Sequence, residues 1–313
     1  MTSSTLPPSL GLNFCGLNFH SPLILLSGSI GFGNEYTRIE GFSYQEAGAV
    51  VLNGTTRHAR RGYSGHRLNE ASMGLLSATG WPNPGVDVVV NEVLPSLDIQ
   101  PTHLCANVCG ETLENLVEVT RRFNDSSVSA IELNMASIDF GAGTLTGDAA
   151  DQLTRIVAAC RSVTIKPLIT KLPAHVDDMG LIARHCIEAG TDAISLINPV
   201  AGMAINIESR KPVLGHGIGG LSGPSIKPIA ILKVMQVAEV ARPHGVAVIG
   251  QGGVRSAEDA IEFLIAGADA VGICTGLYYD PLICQKINSG IDAYLKRHGL
   301  TNVAQLSGSL QSN

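Results

Sequence analysis

Short apolar runs of four to six residues recur along the chain and alternate with longer segments in which apolar residues have helical spacing. The runs lie at residues 23–26, 49–52, 103–108, 130–133, 168–171, 193–197, 246–249 and 270–273. They are rich in Val, Ile and Leu and lack the strict polar alternation of a half-exposed strand. They therefore predict strands that are buried on both faces of a parallel sheet.

A predicted helix follows each of these strands. The helical segments lie near 36–47 and at 86–97, 113–123, 149–163, 176–189, 226–241, 256–266 and 281–297. Eight strand–helix units without a repeat or linker predict an α/β fold, a single (β/α)8 TIM barrel domain over 1–313. Residues 12–19 predict an N-terminal β-hairpin that caps the barrel floor. An open doubly wound sheet fits less well, because no Gly-x-Gly-x-x-Gly follows the first strand.

Two connections are too long for ordinary loops between a strand and a helix. They cover residues 57–84, which are rich in Gly and Arg, and residues 199–223. Loops of this length in compact domains are usually functional. We interpret both as loops on the substrate side of the barrel.

Composition narrows the class of protein. The chain has 313 residues, is 45% hydrophobic and 15% charged, and has a net charge of −6 with scattered Lys and Arg, so no nucleic-acid or membrane-surface partner is expected. No apolar run is long enough to span a bilayer. The seven cysteines are odd in number and lie mostly in apolar segments, which favours a reducing, cytoplasmic location. Cys105 and Cys109 have no second Cys or His pair at metal spacing, so no metal site is predicted.

Glycines end the last two predicted strands. One strand continues as Ile249-Gly250-Gln251-Gly252-Gly253-Val254 and the next as Gly272-Ile273-Cys274-Thr275-Gly276. Glycine lets backbone N–H groups approach an anion, and the following helix adds partial positive charge. In (β/α)8 barrels the loops after strands seven and eight often bind phosphate. Simple turns are the alternative for either glycine pair taken alone.

Other strand ends carry polar side chains, namely Asn53, Asn134, Lys171 and Asn198. Asparagines offer paired donors and acceptors to a planar heterocycle, although they also suit turns. Lys171 would place a positive charge beside an electron-rich ring or an anion; an ion-pair role is the alternative. Ser137, three residues after Asn134, is a candidate proton carrier, or a turn residue.

Together these residues carry a resemblance to the dihydroorotate dehydrogenase family over nearly the whole length. The passages that resemble it are Ser27-Gly28, Gly31-Phe32-Gly33-Asn34-Glu35-Tyr36, Gly80-Trp81-Pro82-Asn83-Pro84-Gly85, Ala106-Asn107-Val108, Ile131-Glu132-Leu133-Asn134, Thr170-Lys171-Leu172-Pro173, Ile197-Asn198, Gly202-Met203, Gly219-Gly220-Leu221-Ser222-Gly223-Pro224, Gly250 to Val254, and Thr275-Gly276. The flanks are most similar to the class that works with an iron–sulfur subunit. The resemblance implies an FMN-containing barrel that moves hydride between the flavin and a C–C bond next to a carbonyl.

The resemblance also implies roles for individual residues. Lys171 would lie near the flavin N1 edge and stabilise reduced flavin. The implied cofactor-binding residues are Ser27, Gly28, Asn107, Asn134, Lys171, Gly223, Gly252, Gly253, Thr275 and Gly276. The implied substrate-binding residues are Asn53, Ser77, Asn134 and Asn198.

The substrate side departs from the family pattern. Asn53 stands where the family carries a lysine, and Ser77 where it carries an asparagine. In the catalytic loop the base position is Ser137, and Asp139 replaces a neutral asparagine, so both become catalytic candidates. Pro199 replaces a hydroxyl residue. Losing a lysine and gaining an aspartate would disfavour an anionic substrate.

We therefore predict an FMN-dependent oxidoreductase that acts on CH–CH bonds, with a substrate other than dihydroorotate. A genuine dihydroorotate dehydrogenase with an unusual pocket is one alternative. An FMN-binding protein without turnover and a non-redox barrel that binds a sugar phosphate are the others. An electron-transfer partner subunit and a homo-oligomer are expected.

Overall fold

The computed structural model describes residues 6–135 and 147–311. Its strands are β1 (Leu12–Phe14), β2 (Leu17–Phe19), β3 (Leu23–Leu25), β4 (Ala49–Thr55), β5 (Leu68–Ala71), β6 (Gly74–Ser77), β7 (His103–Val108), β8 (Ala130–Asn134), β9 (Leu168–Lys171), β10 (Ala193–Leu196), β11 (Val200–Gly202), β12 (Ile205–Asn206), β13 (Lys211–Pro212), β14 (Gly219–Ser222), β15 (Ala247–Gln251) and β16 (Ala270–Ile273). Eight of them close into a parallel barrel in the order β3-β4-β7-β8-β9-β10-β15-β16. The predicted (β/α)8 fold is confirmed.

The helices cover the outside of the barrel. They are α1 (Val86–Val88), α2 (Leu113–Asn124), α3 (Gly147–Arg161), α4 (Met179–Glu188), α5 (Lys227–Ala241), α6 (Ala257–Ala266), α7 (Gly276–Tyr279) and α8 (Ile283–Arg297). Side-chain caps fix the residue at which several helices begin, because the first backbone N–H groups of a helix have no partner inside it. Thr112 caps α2, Asp178 caps α4, and Ser256 forms a capping box with Asp259 at α6.

The helix predicted near 36–47 is wrong. Only a 3-10 turn, Tyr44–Glu46, forms there. Gly41 has φ of +81°, a left-handed conformation that interrupts a helix. The segment predicted as one helix at 86–97 is irregular: α1 passes into a π-helical turn, Val89–Val93, and then into a 3-10 turn, Leu94–Ser96.

The two long loops pair with each other. Strands β5 and β6 come from the first loop, β11 and β14 from the second, and together they form a four-stranded sheet in the order β11-β14-β6-β5. Ser77 pairs with Gly220 in this sheet. Both loops leave the C-terminal ends of barrel strands, so the sheet stands on the side of the barrel where enzymes of this architecture carry their sites.

Inside the barrel, apolar and polar side chains form separate layers. The lower layer includes Ile24, Ile169 and Ile249, and packs against Phe14 and Phe19 of the predicted β1–β2 hairpin. The hairpin thus closes the N-terminal end of the barrel. Because side chains alternate along a strand, the next inward position is two residues further on.

The upper layer is polar at five of these positions. They are Asn107, Glu132, Lys171, Ser195 and Gln251, all of which are buried. The fold therefore places a buried polar surface directly beneath the C-terminal mouth of the barrel.

Candidate active site

A cleft opens at this mouth, between the ends of β3, β9, β10, β15 and β16. Its lining includes Ser27, Lys171, Asn198, Pro199, Ser222, Gly223, Gln251, Gly252, Gly253, Cys274, Thr275 and Gly276. The cleft and its open mouth enclose about 560 Å³. Most of the residues implied for cofactor binding meet here, although they are far apart in sequence; Gly28, Asn107 and Asn134 are not in the lining.

The glycine-rich end of the cleft is a backbone cradle. Gly223, Gly252 and Gly253 have φ of +106°, +128° and +87°, which side chains rarely adopt. Among the described residues, the N–H groups of Gly252, Gly253, Thr275 and Gly276 have no hydrogen-bond acceptor. Unpaired N–H groups around a cleft fit an anion such as a phosphate. The glycines that the sequence indicated therefore lie together at one end of the cleft.

The polar layer is held together by Glu132. Its Oε1 accepts a hydrogen bond from Nδ2 of Asn107 at 2.6 Å, and its Oε2 accepts one from Oγ of Ser195 at 2.8 Å. Nζ of Lys171 lies 3.6 Å from Oε1. The Glu132 and Lys171 side chains are 0% and 5% exposed, so each needs the other to offset the cost of burying a charge. Lys171 lines the cleft, so its positive charge lies at the cleft surface.

A row of three asparagines continues from this network. Nδ2 of Asn134 donates to Oδ1 of Asn107 at 3.4 Å, and Nδ2 of Asn198 donates to Oδ1 of Asn134 at 3.2 Å. All three are buried. The ends of β7, β8 and β10 thus present connected carboxamides, which can recognise alternating N–H and C=O groups of a planar ring.

Asn53 makes a contact outside that row. Its Oδ1 accepts the N–H of Gly28 at 2.9 Å, so its side chain joins the end of β4 to the loop after β3. The carbonyl of Gly28 accepts a hydrogen bond from the hydroxyl of Tyr278 at 2.6 Å. Gly28 is therefore fixed on both sides by protein contacts.

Two arginines of the first loop have partners outside the cleft lining. Arg60 pairs with Glu111 at 2.6 Å and lies over the ring of Trp81. Arg67 donates to backbone carbonyls of Arg61 and Tyr63. Neither Arg60 nor Arg67 lines the cleft, whereas Arg255, which follows β15, does.

Sequence reasoning missed three residues of the site. Glu132 and Ser195 were not assigned a role, although both lie in barrel strands two residues beyond inward-facing apolar positions. Gln251 was noted only as part of a glycine motif. Strand alternation was the signal that could have found all three.

Cys274 also lines the cleft. Burial raises the pKa of its thiol, and the nearby charge of Lys171 offsets only part of this rise. The thiol is therefore protonated at neutral pH and is not a ready nucleophile.

Ser137 and Asp139 lie outside the described residues. Within 6–135 and 147–311, no His, Cys, Asp and Glu side chains converge in a group that could hold a metal ion. No helix in those ranges is long and apolar enough to cross a membrane. None of the seven cysteines, all of which fall in the described part of the chain, forms a disulfide.

Comparisons with known proteins agree with this geometry. The family model for dihydroorotate dehydrogenase matches residues 9–295. The chain is 40% identical, over 94% of its length and 95% of the relative's, to the catalytic subunit of dihydroorotate dehydrogenase B (NAD(+)) from Porphyromonas gingivalis. It is 38% identical to the subunit of the same name from Phocaeicola vulgatus, over 96% of this chain and 99% of that one. A crystal structure of the Eimeria tenella enzyme DHODH with ferulenol has a similar fold, with a TM-score of 0.77 and 20% identity over 98% of this chain and 90% of that one.

The cleft fits the cofactor of this family. Its unpaired N–H groups suit the phosphate of FMN, its buried cation suits the ring, and Gln251 holds a carboxamide oxygen without a partner among the described residues. The chain belongs to the dihydroorotate dehydrogenase family and is an FMN-dependent oxidoreductase that acts on CH–CH bonds.

Proposed function

We propose that this chain is the catalytic subunit of a dihydroorotate dehydrogenase, which oxidises the ring C–C bond of dihydroorotate next to its carbonyl group. The observation that carries the proposal is the buried row of Asn107, Asn134 and Asn198, connected through Glu132 to Lys171. The names of the relatives support the same substrate.

The asparagine row suits a dihydropyrimidine. Such a ring carries N–H and C=O groups in alternation, and each carboxamide supplies both a donor and an acceptor. Since a buried site that pairs these groups rejects rings that lack them, the row would select the ring class strongly. Bound FMN would accept the hydride that leaves the substrate carbon.

Lys171 and Glu132 would lie beneath the bound flavin ring and assist its reduction. The cation at the cleft surface favours negative charge on the ring above it. Glu132 pairs with that buried cation and, through its hydrogen bonds, holds Asn107 and Ser195 in position.

The proton that leaves the neighbouring carbon needs a base. We propose Ser137, working through a neighbour or a water, with Asp139 as the alternative. Both roles rest on the family resemblance of the loop that follows Asn134.

The sequence-based expectation of a substrate other than dihydroorotate finds no support in the named relatives, which favour the alternative given above. One observation favours a second candidate substrate, a neutral dihydropyrimidine. Asn53 has no formal charge, and its Oδ1 holds Gly28. Arg60 bonds to Glu111 and Arg67 to backbone carbonyls, so neither supplies the charge of a lysine there, whereas Arg255 lines the cleft.

We also propose an electron-transfer partner. The relatives are named as catalytic subunits of a dihydroorotate dehydrogenase B (NAD(+)), a name that implies a further subunit in those enzymes. For this chain we propose the same arrangement, in the cytoplasm, with 1–313 acting as one FMN-binding barrel and assembling as a homo-oligomer.

A matched pair of substrates tests the proposal. Dihydroorotate and dihydrouracil differ by one carboxylate, so each is mixed anaerobically with FMN-loaded protein and the visible flavin absorbance is followed. The proposal expects bleaching by dihydroorotate at about one per second or faster. Bleaching by dihydrouracil alone would instead support the neutral substrate, and bleaching by neither would overturn both.

Two variants of Asn53 sharpen this result. If the substrate is neutral, Asn53→Lys should create reactivity toward dihydroorotate, because it adds a cation near the cleft. Asn53→Met has similar length without charge and is the matched control. If wild-type protein already oxidises dihydroorotate rapidly, neither change should be required for activity.

A further inference from the structure

Gln251 occupies an unusual place in the cleft. It is the last residue of β15 and faces the barrel interior, two residues beyond Ile249. It is 2% exposed and lines the same cleft as Lys171. Its backbone carbonyl accepts the N–H of Ile197 at 3.1 Å, which fixes the end of the strand.

The orientation of its carboxamide follows from its neighbour. Nε2 donates to the carbonyl of Ile197 at 3.2 Å. Because a carbonyl only accepts, the nitrogen must point that way, and the reversed rotamer would place two oxygens together. Oε1 is therefore the carboxamide atom that takes no part in this hydrogen bond.

Oε1 has no hydrogen-bond partner among the described residues, although it is fully buried. Leaving a buried acceptor unpaired costs free energy, so such an atom in a cleft marks the place of a missing donor. A molecule that fills the cleft can supply that donor.

The position of Gln251 identifies that donor. The next two residues, Gly252 and Gly253, belong to the phosphate cradle, and the neighbouring strand β16 leads to Thr275 and Gly276. Beside its phosphate, FMN carries a ribityl chain with three hydroxyl groups, whereas its only other donor is a ring N–H at the far end of the molecule. We propose that Oε1 of Gln251 accepts a hydrogen bond from a ribityl hydroxyl of bound FMN and so sets the position of the ring above Lys171.

Binding measurements with cofactor analogues test this contact without turnover. Apoprotein is titrated with FMN and with FMN analogues that each lack one ribityl hydroxyl, and dissociation constants are obtained from the quenching of flavin fluorescence. One lost hydrogen bond should weaken binding of one analogue to wild-type protein by about 2- to 12-fold. If every analogue binds wild-type protein as tightly as FMN does, the proposal is overturned whatever the variants do.

Variants then assign the contact to Gln251. In Gln251→Met, which keeps an unbranched side chain, FMN and the sensitive analogue should bind with equal affinity. Gln285→Met is the matched control, because Gln285 lies on α8 outside the cleft lining and its Nε2 donates to the carbonyl of Gly41, so the preference should persist there. An unchanged preference in Gln251→Met would assign the hydroxyl to another residue and refute the proposal.

The redox readout is separate from affinity. If Gln251 positions the ring above Lys171, Gln251→Met should also shift the flavin reduction potential and visible spectrum, which a merely structural residue would leave alone. The inference uses bound FMN and not the substrate. If the contact between Gln251 and FMN is refuted, the proposed substrate is unaffected. If dihydroorotate is not the substrate, the contact between Gln251 and FMN is equally unaffected.

Discussion

Replacing Lys171 with methionine is expected to make bound FMN harder to reduce. The substitution removes the cation at the cleft surface and leaves Glu132, which is 0% exposed, without its positive partner. Reduced flavin carries more negative charge near the ring than oxidised flavin does. Its stability therefore falls when a neighbouring cation is lost and a carboxylate remains.

The distances set the size of the effect. At 3.6 Å, the Lys171–Glu132 attraction is about 4–5 kcal/mol for an effective dielectric near 20. A cation about 4 Å from the ring contributes a similar amount, about 4 kcal/mol, which corresponds to about 90 mV for a two-electron couple. We expect the midpoint potential to fall by about 50–100 mV on the same reasoning.

A double variant separates the redox effect from stability. Lys171→Met alone should destabilise the protein by about 3–5 kcal/mol, because it leaves a buried charge unpaired. Adding Glu132→Gln removes that charge and should recover part of the stability. Since Lys171 lines the cleft and Glu132 lies behind it, the potential should be highest in wild-type protein, intermediate in the double variant and lowest in Lys171→Met.

The assay is spectroelectrochemical titration of FMN-loaded protein, with thermal unfolding measured in parallel. Lys286→Met is the control, because Lys286 pairs with Asp280 on the exposed surface and its loss should leave the potential unchanged. If Lys171→Met unfolds more easily but keeps the wild-type potential, the pair is structural only and the placement of Lys171 beside the ring is refuted.

Three further predictions concern the cradle, the base and the cleft thiol. Gly253→Asp should abolish FMN binding, because a carboxylate would enter the phosphate site and the new Cβ would lie 2.7 Å from a carbonyl oxygen. Gly245→Asp is the control and should keep normal flavin content, because Gly245 also has a positive φ but has open space around it. Ser137→Ala should slow flavin reduction by substrate about 10²–10⁴-fold while FMN stays bound; if Asp139→Asn is the slower variant, the roles are exchanged. Alkylation of Cys274 in apoprotein should need a higher pH than alkylation of an ordinary thiol, because burial raises the pKa of Cys274 and the reactive thiolate forms only as the pH approaches that pKa. Added FMN should block the alkylation, because Cys274 lines the cleft. Rapid labelling at neutral pH, or labelling that FMN leaves unchanged, would contradict this prediction.

The barrel could be predicted from the sequence because each of its strands is specified by a pattern of neighbouring residues. Each strand is a short apolar run, and each glycine ending is visible in the residue order. Strands β7, β9 and β16 lie at the predicted residues, since their boundaries coincide with changes in hydrophobicity. The cradle was predictable for the same reason, because unpaired backbone N–H groups need glycines at fixed places.

Contacts between distant segments were not predictable in this way. The pairing of β6 with β14 joins Ser77 to Gly220, and nothing in either segment alone indicates the other. The missing helix at 36–47 has a related cause. Its apolar residues have helical spacing, but Tyr44 is buried and its hydroxyl donates to Gly33, so tertiary packing overrides the local pattern.

The polar layer lies between these two cases. Strand alternation was enough to turn Glu132 and Gln251 inward, but the hydrogen bonds that give them a function depend on neighbours from other strands. Asn53 shows the limit most clearly. The family resemblance implies a substrate residue, and the contact of its Oδ1 with the N–H of Gly28 joins two segments that the sequence does not connect.

Anaerobic single turnover with dihydroorotate tests the central claim most directly. FMN-loaded protein is mixed with one equivalent of dihydroorotate, the flavin absorbance is recorded, and the product is identified by mass and ultraviolet spectrum. The account predicts loss of the oxidised flavin band and formation of one orotate for each FMN reduced. Flavin that stays oxidised with dihydroorotate, in protein that a neutral dihydropyrimidine reduces fully, would contradict it.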